Sequence, residues 1–405
     1  METNMANTVD GTSNFSLFLT NVTCLPFLTW NNSQLNNSSP AQCGLNNTQN
    51  FTNLDPAFLS FLHELLQPSN LLPEPLPNDV IITFIVLYSF IIILAVVGNT
   101  IVVIVIGRHR LRRSVTDMYI FSLAISDILI ATLNMPFQLS FVIANEWLAE
   151  GTAGEFLCKF TNYVQGVTIV ACVLTLTAIA IDRYIVICQP KLSRKIHSKK
   201  SAIIGIVVVW LIALCALSPH LVFQKLDQRL KVTENAIGVG WVCAEFYPRG
   251  KADGKLYSVF VYIFLYVIPV LIMIFTYGAI THRLWLKRSV FPVSQNSSQF
   301  ARGVAHKKKI TKLLIVLVLA FTVLWLPFFS FSMFTKFADA DVHAFRIKMA
   351  VLQLVGYSNC CVNPIMYTFL NNSFQKEFIR MCRCIPCFTR DAVSSSVKTD
   401  TESKI

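Results

Sequence analysis

Charge is what this sequence has least of: only 14% of its 405 residues are charged, while 54% are hydrophobic and the mean hydropathy is +0.55. Soluble domains carry about 25% charged residues, so the deficit excludes an ordinary water-soluble globule. Lys and Arg are missing altogether from residues 1–79. Met1–Val22 lacks the basic start and sustained apolar core of a cleavable signal peptide, so the first apolar stretch is expected to act as its own insertion signal. Zinc spacing is missing too, because Cys384-x-x-Cys387 has no second pair. No internal repeat suggests a transporter built on symmetric halves. No His-Glu or Ser-His arrangement suggests a membrane enzyme.

What the chain does have is long apolar runs. A membrane span needs about 20 mainly apolar residues, and seven candidates qualify: Val80–Ile106, Met118–Val142, Phe160–Ile187, Ala202–Phe223, Tyr257–Tyr277, Ile310–Phe334 and Met349–Leu370. Pro219, Pro269, Pro327 and Pro364 fall inside them and are expected to kink rather than break their helices, since neighbouring helices re-satisfy the freed backbone groups. The chain thus divides into a polar amino-terminal tail (1–79), a seven-helix bundle (80–370) and a short tail (371–405).

The formal charge of +12 is placed by topology. Basic clusters follow span one (Arg108, Arg110, Arg112, Arg113), span three (Lys191, Arg194, Lys195, Lys199, Lys200) and span five (Arg283, Lys287, Arg288, Arg302, Lys307, Lys308, Lys309). The loops between are less basic, so the positive-inside rule puts the amino terminus outside and the carboxy terminus in the cytosol. The clusters suit anionic lipid headgroups, and nucleic acid is not an expected partner. Asn14, Asn21, Asn31, Asn36, Asn37, Asn46 and Asn50 each begin Asn-x-Ser/Thr in the outer tail, as glycosylation acceptors should.

The twelve cysteines divide by compartment. A bond between Cys158, at the start of span three, and Cys243, in the loop after span four, would pin that loop over the bundle mouth. Cys24 and Cys43 are a second outer pair whose connectivity sequence leaves open. Cys382, Cys384 and Cys387 follow span seven and are candidates for palmitoylation.

One marker stands in each span: Gly98-Asn99, Leu123-Ala124-x-x-Asp127, Cys158 with Asp182-Arg183-Tyr184, Trp210, Pro269 with Tyr277, Phe321 with Trp325-x-Pro327, and Asn363-Pro364-x-x-Tyr367. In this order they resemble the rhodopsin-like G-protein-coupled receptors, over roughly Val80 to Cys387. Glu146-Trp147, Gln165, Leu284-Trp285 and the run Ile347-Lys348-Met349 through Asn363-Pro364 resemble receptors for RFamide neuropeptides, especially the pyroglutamylated type. Neuropeptide Y, tachykinin and orexin-like receptors share several of these features.

The resemblance implies a plasma-membrane receptor, all-α, with seven spanning helices and a short eighth helix at Phe374–Arg380. It also implies a heterotrimeric G protein as partner, and Ser394, Ser395, Ser396, Thr399, Thr401 and Ser403 as phosphate acceptors for arrestin. Arg183 would be held by Asp182 at rest and released on activation, with Tyr184, Tyr277, Phe321, Trp325, Pro327, Asn363, Pro364 and Tyr367 as the other moving parts. The acid that many relatives place at the base of span six is here Lys307, so a second restraint on Arg183 is missing.

Asp127 is the only acid buried mid-span. The resemblance implies a sodium site with Asn359 and Asn363, although Cys172 stands where the family has a hydroxyl. A neutral, hydrogen-bonded structural Asp is the alternative.

Ligand class is read at the outer ends of the spans. Gln165 replaces the Asp of amine receptors, and Tyr357 the Schiff-base Lys of opsins. Gln138, Gln165 and Gln353 offer neutral amides suited to an amidated peptide terminus, or else serve as interhelical glue. Trp147, Glu245 and Trp325 complete the candidate ligand contacts. A ligand Arg wants a carboxylate, but related receptors carry their acid where this chain has Lys336; Glu245, Glu146, Asp339 and Asp341 are substitutes. In the outer tail, Asp55-Pro56 with Phe58, Phe61, Leu62 and Leu65 reads as a capped amphipathic helix, either folded over the pocket or left as a spacer.

Overall fold

A computed structural model describes residue 72, residues 75–108, 114–232, 237–247, 250–286, 297–338 and 345–370, and residue 375. The glycosylation acceptors, Cys24 and Cys43, the 55–67 segment, Arg110 to Arg113, Asp339, Asp341, Cys382, Cys384, Cys387 and the Ser/Thr tail lie outside the described residues. Of Phe374–Arg380 only Gln375 is described, its amide donating to the Thr368 carbonyl at 2.8 Å.

Among the described residues, six helical stretches are long and apolar enough to cross a membrane: Asn78–Arg108, Val115–Ala144, Gly151–Cys188, Lys199–Phe223, Ala252–Leu284 and Lys308–Phe337. The seventh span is divided at Ser358 into Arg346–Tyr357 and Asn359–Leu370. Span three is the axis, with 67% of its apolar window buried against 17% for span one. Large apolar side chains such as Phe275 and Val323 point outward, as a bundle in lipid requires.

Lipid supplies no hydrophobic drive between helices, so close packing and interhelical hydrogen bonds hold the bundle. Spans one and seven touch at Gly98, where an added Cβ would lie 2.7 Å from the Pro364 ring. Next to it, Asn99 Nδ2 donates to the Cys360 carbonyl at 2.9 Å. Trp210 Nε1 donates to Ser122 Oγ at 3.0 Å, joining spans four and two, and the Tyr266 hydroxyl donates to the Thr322 carbonyl at 3.1 Å, joining five and six.

Three of the four prolines named above behave as expected. Pro327 and Pro364 stay inside helices, and Pro269 follows a π turn at Ile263–Val267 that absorbs the lost ladder bond. Pro219 does break its helix: regular structure stops at Leu217, and after a turn only the four-residue His220–Phe223 helix remains. That break lets the chain turn out of span four into a β-hairpin.

The hairpin was not foreseen. Strand β1 (Gln224–Val232) pairs antiparallel with β2 (Ile237–Glu245), with Leu226 opposite Cys243 and Gln224 opposite Glu245. Backbone bonds fasten it on several sides: Leu72 N–H to the Leu230 carbonyl (2.7 Å), Trp147 N–H to the Trp241 carbonyl (2.6 Å) and Phe246 N–H to the Phe223 carbonyl (2.7 Å).

Candidate ligand cavity and the paired arginine

A cavity of about 1000 Å³ opens beneath the hairpin, at the upper end of the size range for small-ligand sites. The Cys158–Cys243 disulfide, with 5.5 Å between Cα atoms, ties β2 to the outer end of span three and forms part of its edge. Spans two, three and seven contribute Gln138, Gln165 and Gln353 to the wall. Gln353 Nε2 donates to the Tyr357 hydroxyl at 2.8 Å.

Tyr266, Phe328 and Phe329 line the inner end of the cavity, and Trp325 lies under them with centroids 5.8 Å from Phe328 and 5.7 Å from Phe329. Trp325 and Phe321, both 1% exposed, follow one another along span six with ring centroids 6.5 Å apart. Trp325 meets Tyr357 edge-on at 5.9 Å and packs so tightly on span seven that a Cβ on Gly356 would fall 2.7 Å from its ring. A ligand pressing on Phe328 or Phe329 therefore pushes on a close-packed aromatic column whose members belong to spans six and seven.

The charged side chains lining the cavity are Arg229, Glu245, Lys336 and Arg346, with His220 beside them. Lys336 Nζ sits 2.8 Å from Glu245 Oε2 and 2.8 Å from Ser258 Oγ. The Tyr247 hydroxyl donates to the same Oε2. Enclosure pushes the Glu245 carboxyl up, but the Lys336 ammonium, the Tyr247 hydroxyl and His220 outweigh it and hold the pKa below its ordinary value. Enclosure and the neighbouring carboxylate push the Tyr247 hydroxyl up.

Asp127 is fully buried, and its Oδ2 accepts from Asn363 Nδ2 at 2.7 Å. Asp127 Oδ1 and Asn99 Oδ1 are buried without a hydrogen-bond partner, the kind of oxygen a small cation would take. Asn359 is buried on span seven. The Cys360 thiol lies beside the carboxylate, so sulfur as well as oxygen borders the position.

At the inner end, Arg183 Nη2 pairs with Asp182 Oδ2 at 2.8 Å and donates to Thr116 Oγ1 of span two. Asp182 Oδ1 in turn meets His197 Nδ1 at 2.8 Å. Tyr184 packs against Phe275 of span five, with ring centroids 6.5 Å apart. Tyr277 is buried with its hydroxyl lacking a hydrogen-bond partner, and Tyr367 is buried on span seven.

A family model for "7 transmembrane receptor (rhodopsin family)" matches residues 98–367. The chain belongs to that family. It is 30% identical over 345 residues to a QRFP-like peptide receptor of Branchiostoma floridae, covering 80% of this chain and 88% of that one. It is 29% identical over 335 residues to the pyroglutamylated RF-amide peptide receptor of Rattus norvegicus, covering 80% and 76%. It is 30% identical over 348 residues to the neuropeptide Y receptor type 2 of Homo sapiens, covering 82% and 86%. As a rhodopsin-family multi-pass membrane receptor it is not an enzyme.

The receptor brings Gln138, Gln165, Gln353 and Glu245 into one cavity. Trp325 lies under the floor rather than in the wall. Trp147 stands outside the wall: its Nε1 donates to the Gly154 carbonyl at 3.2 Å and its ring stacks on Phe137 at 6.1 Å, so it fastens the first outer loop. Glu146 is paired with Lys231 of the hairpin at 3.0 Å. Sequence reading missed Phe328, Phe329, Tyr266 and His197. The first two carried a signal, since they follow Trp325 at i+3 and i+4 on one helix face.

Proposed function

We propose that this receptor binds an extracellular neuropeptide, of the amidated RFamide type, and activates heterotrimeric G proteins at the plasma membrane. The observation that carries the reading is the cavity itself, large enough for a peptide terminus, walled by three neutral amides and floored by aromatics that touch Trp325. The relatives named for RF-amide and QRFP-like peptides support it. A peptide of the neuropeptide Y kind is the second reading, favoured by the comparably similar human receptor.

The mechanism is a population shift. The peptide prefers the state in which span six has swung outward, and the affinity difference between states sets how far the equilibrium moves. Trp325, Phe321 and Pro327 pass the movement down span six. Asn363, Pro364 and Tyr367 carry it through span seven, and Tyr277 meets the released Arg183. Asp127, with Asn359 and Asn363, would hold a sodium ion, which supplies positive charge beside the buried carboxylate.

The amino terminus lies outside, with Asn14, Asn21, Asn31, Asn36, Asn37, Asn46 and Asn50 as glycan acceptors. The carboxy terminus lies in the cytosol, where Cys382, Cys384 and Cys387 carry palmitate, the tail recruits arrestin and the basic loops meet anionic lipid. The test is a panel of amidated peptides on transfected cells, read by calcium and by cyclic nucleotide. A response to RFamides supports the first reading. A response confined to another peptide class overturns it.

A further inference from the structure

One helix face forms a ladder down the cavity wall. Arg346, Met349 and Gln353 of the helix Arg346–Tyr357 all line the cavity, at i, i+3 and i+7. Seven residues make almost two full turns, so Arg346 and Gln353 share a face. At about 1.5 Å per residue they stand about 10.5 Å apart along the axis. Gln353 is the inner rung, because its Nε2 donates to Tyr357 and Tyr357 meets Trp325 under the floor. Arg346 is the outer rung, in the first turn of the helix.

The wall is short of negative charge. Among the described lining residues, Arg229, Lys336 and Arg346 meet one carboxylate, Glu245, which Lys336 already holds at 2.8 Å. Arg229 comes from β1, and its Nε has Asp227 at 3.4 Å, a carboxylate that is 55% exposed and outside the wall. A guanidinium carries five N–H donors in a planar fork, so it can keep a neighbour and take a ligand carboxylate at the same time. It is also weakly hydrated, which suits it to holding an anion at a partly buried interface.

We propose that Arg346 is a specificity-determining residue: it reads an acidic side chain of the peptide three residues before the amidated one. The proposal rests on the amidated-peptide reading of the cavity, with the terminal amide at Gln353. An extended peptide advances about 3.3 Å per residue, so about three residues cover the distance from Gln353 to Arg346. Side chains of an extended chain alternate, so an acid moved by one residue points away from the outer rung. Arg229 adds positive charge to the same wall without setting this spacing. The penultimate Arg of an RFamide goes to Glu245 and the acid goes to Arg346, so the cavity favours a peptide that carries both charges in that order.

The test uses full-length receptor in nanodiscs, with affinities measured by isothermal titration calorimetry. The probes are the amidated hexapeptide Gly-Phe-Asp-Phe-Arg-Phe-amide and its counterparts with Asn or Lys in place of Asp. The Asp peptide should bind roughly tenfold tighter than the Asn peptide, and the Lys peptide weaker still. Gly-Phe-Phe-Asp-Arg-Phe-amide, with the acid one residue nearer the terminus, should lose the gain. Arg346→Gln should bring the ratio of Asp to Asn affinities close to one, and Arg346→Glu should turn the preference toward the Lys peptide.

Equal affinities for the Asp and Asn peptides on wild type, a comparison that needs no variant, overturn the inference. A preference that survives Arg346→Gln, or that ignores the position of the acid, overturns it too, since that is the pull of the cavity as a whole. Binding by none of the hexapeptides brings down the amidated-peptide reading and this inference with it. Binding without a charge preference brings down only the role given to Arg346.

Discussion

At the scale of single residues, the ion pair between Lys336 and Glu245 is where the proposed peptide reading makes its sharpest demand. Glu245 is the one carboxylate among the described lining residues, and its Oε2 is already taken by Lys336 and Tyr247. A ligand guanidinium must share or displace that ammonium. Lys336→Met should therefore raise the potency of peptides ending in Arg-Phe-amide by roughly tenfold, equal to 1.4 kcal/mol, while Glu245→Gln lowers it. Concentration–response curves on cells check both, and a fall in potency with Lys336→Met would mean that Lys336 itself touches the ligand. The pair also has a pH signature. The Glu245 pKa is depressed on folding, so its contribution to stability is complete above the ordinary carboxylate value and is lost as pH falls through the depressed one. Thermal unfolding of purified receptor between pH 7 and pH 3 should show this acid limb flattened by Glu245→Gln.

At the scale of elements, the contact between spans six and seven is set by the missing side chain at Gly356. A Cβ there would sit 2.7 to 3.0 Å from three atoms of the Trp325 ring, so Gly356→Val must move the indole or the helix. Overpacking of this kind costs about 1–3 kcal/mol. If the proposed mechanism routes movement through this ring, the variant should change basal signalling and agonist efficacy together at normal surface expression. An unchanged concentration–response curve would remove Trp325 from the transmission path. The hairpin offers the other test. Its backbone bonds to residues 72, 147 and 223 survive removal of the disulfide, so Cys243→Ala should keep the seven-span fold but loosen the cavity roof. Peptide affinity should fall by roughly tenfold or more at equal expression, checked by saturation binding.

Sequence and structure part company at this same scale. The spans were legible because an apolar run of 20 residues has few other solutions. Motif residues such as Asp182 and Arg183 are neighbours in the chain, and their pairing could be read directly. The hairpin was not legible. Its strands owe their place to Cys158, 85 residues away, and to backbone partners at 72, 147 and 223, none of which the local pattern at 224–245 reveals. Pro219 reads as a kink in the sequence because a proline inside a span is normally absorbed by neighbours. At the outer end of span four the chain leaves the bundle, and a break carries no such penalty. Lys336 with Glu245, 91 residues apart, and His197 with Asp182, 15 apart, are pairings that only the folded geometry brings about.

At the scale of the whole molecule, the bundle joins a walled cavity at one end to an ion-paired guanidinium at the other. Between them run the aromatic column of Phe328, Phe329, Trp325 and Phe321 and the polar cluster around Asp127. Close-packed elements of this kind move between discrete arrangements rather than deforming continuously, which is how a small push at one end becomes a change at the other. The central claim is that peptide energy gathered outside is converted into availability of Arg183 inside. The most direct measurement is peptide-stimulated nucleotide exchange on purified heterotrimer by wild type and Arg183→Gln, with peptide affinity measured on the same samples. The account predicts that exchange is lost in Arg183→Gln while the peptide still binds. Exchange equal to wild type in that variant would contradict it.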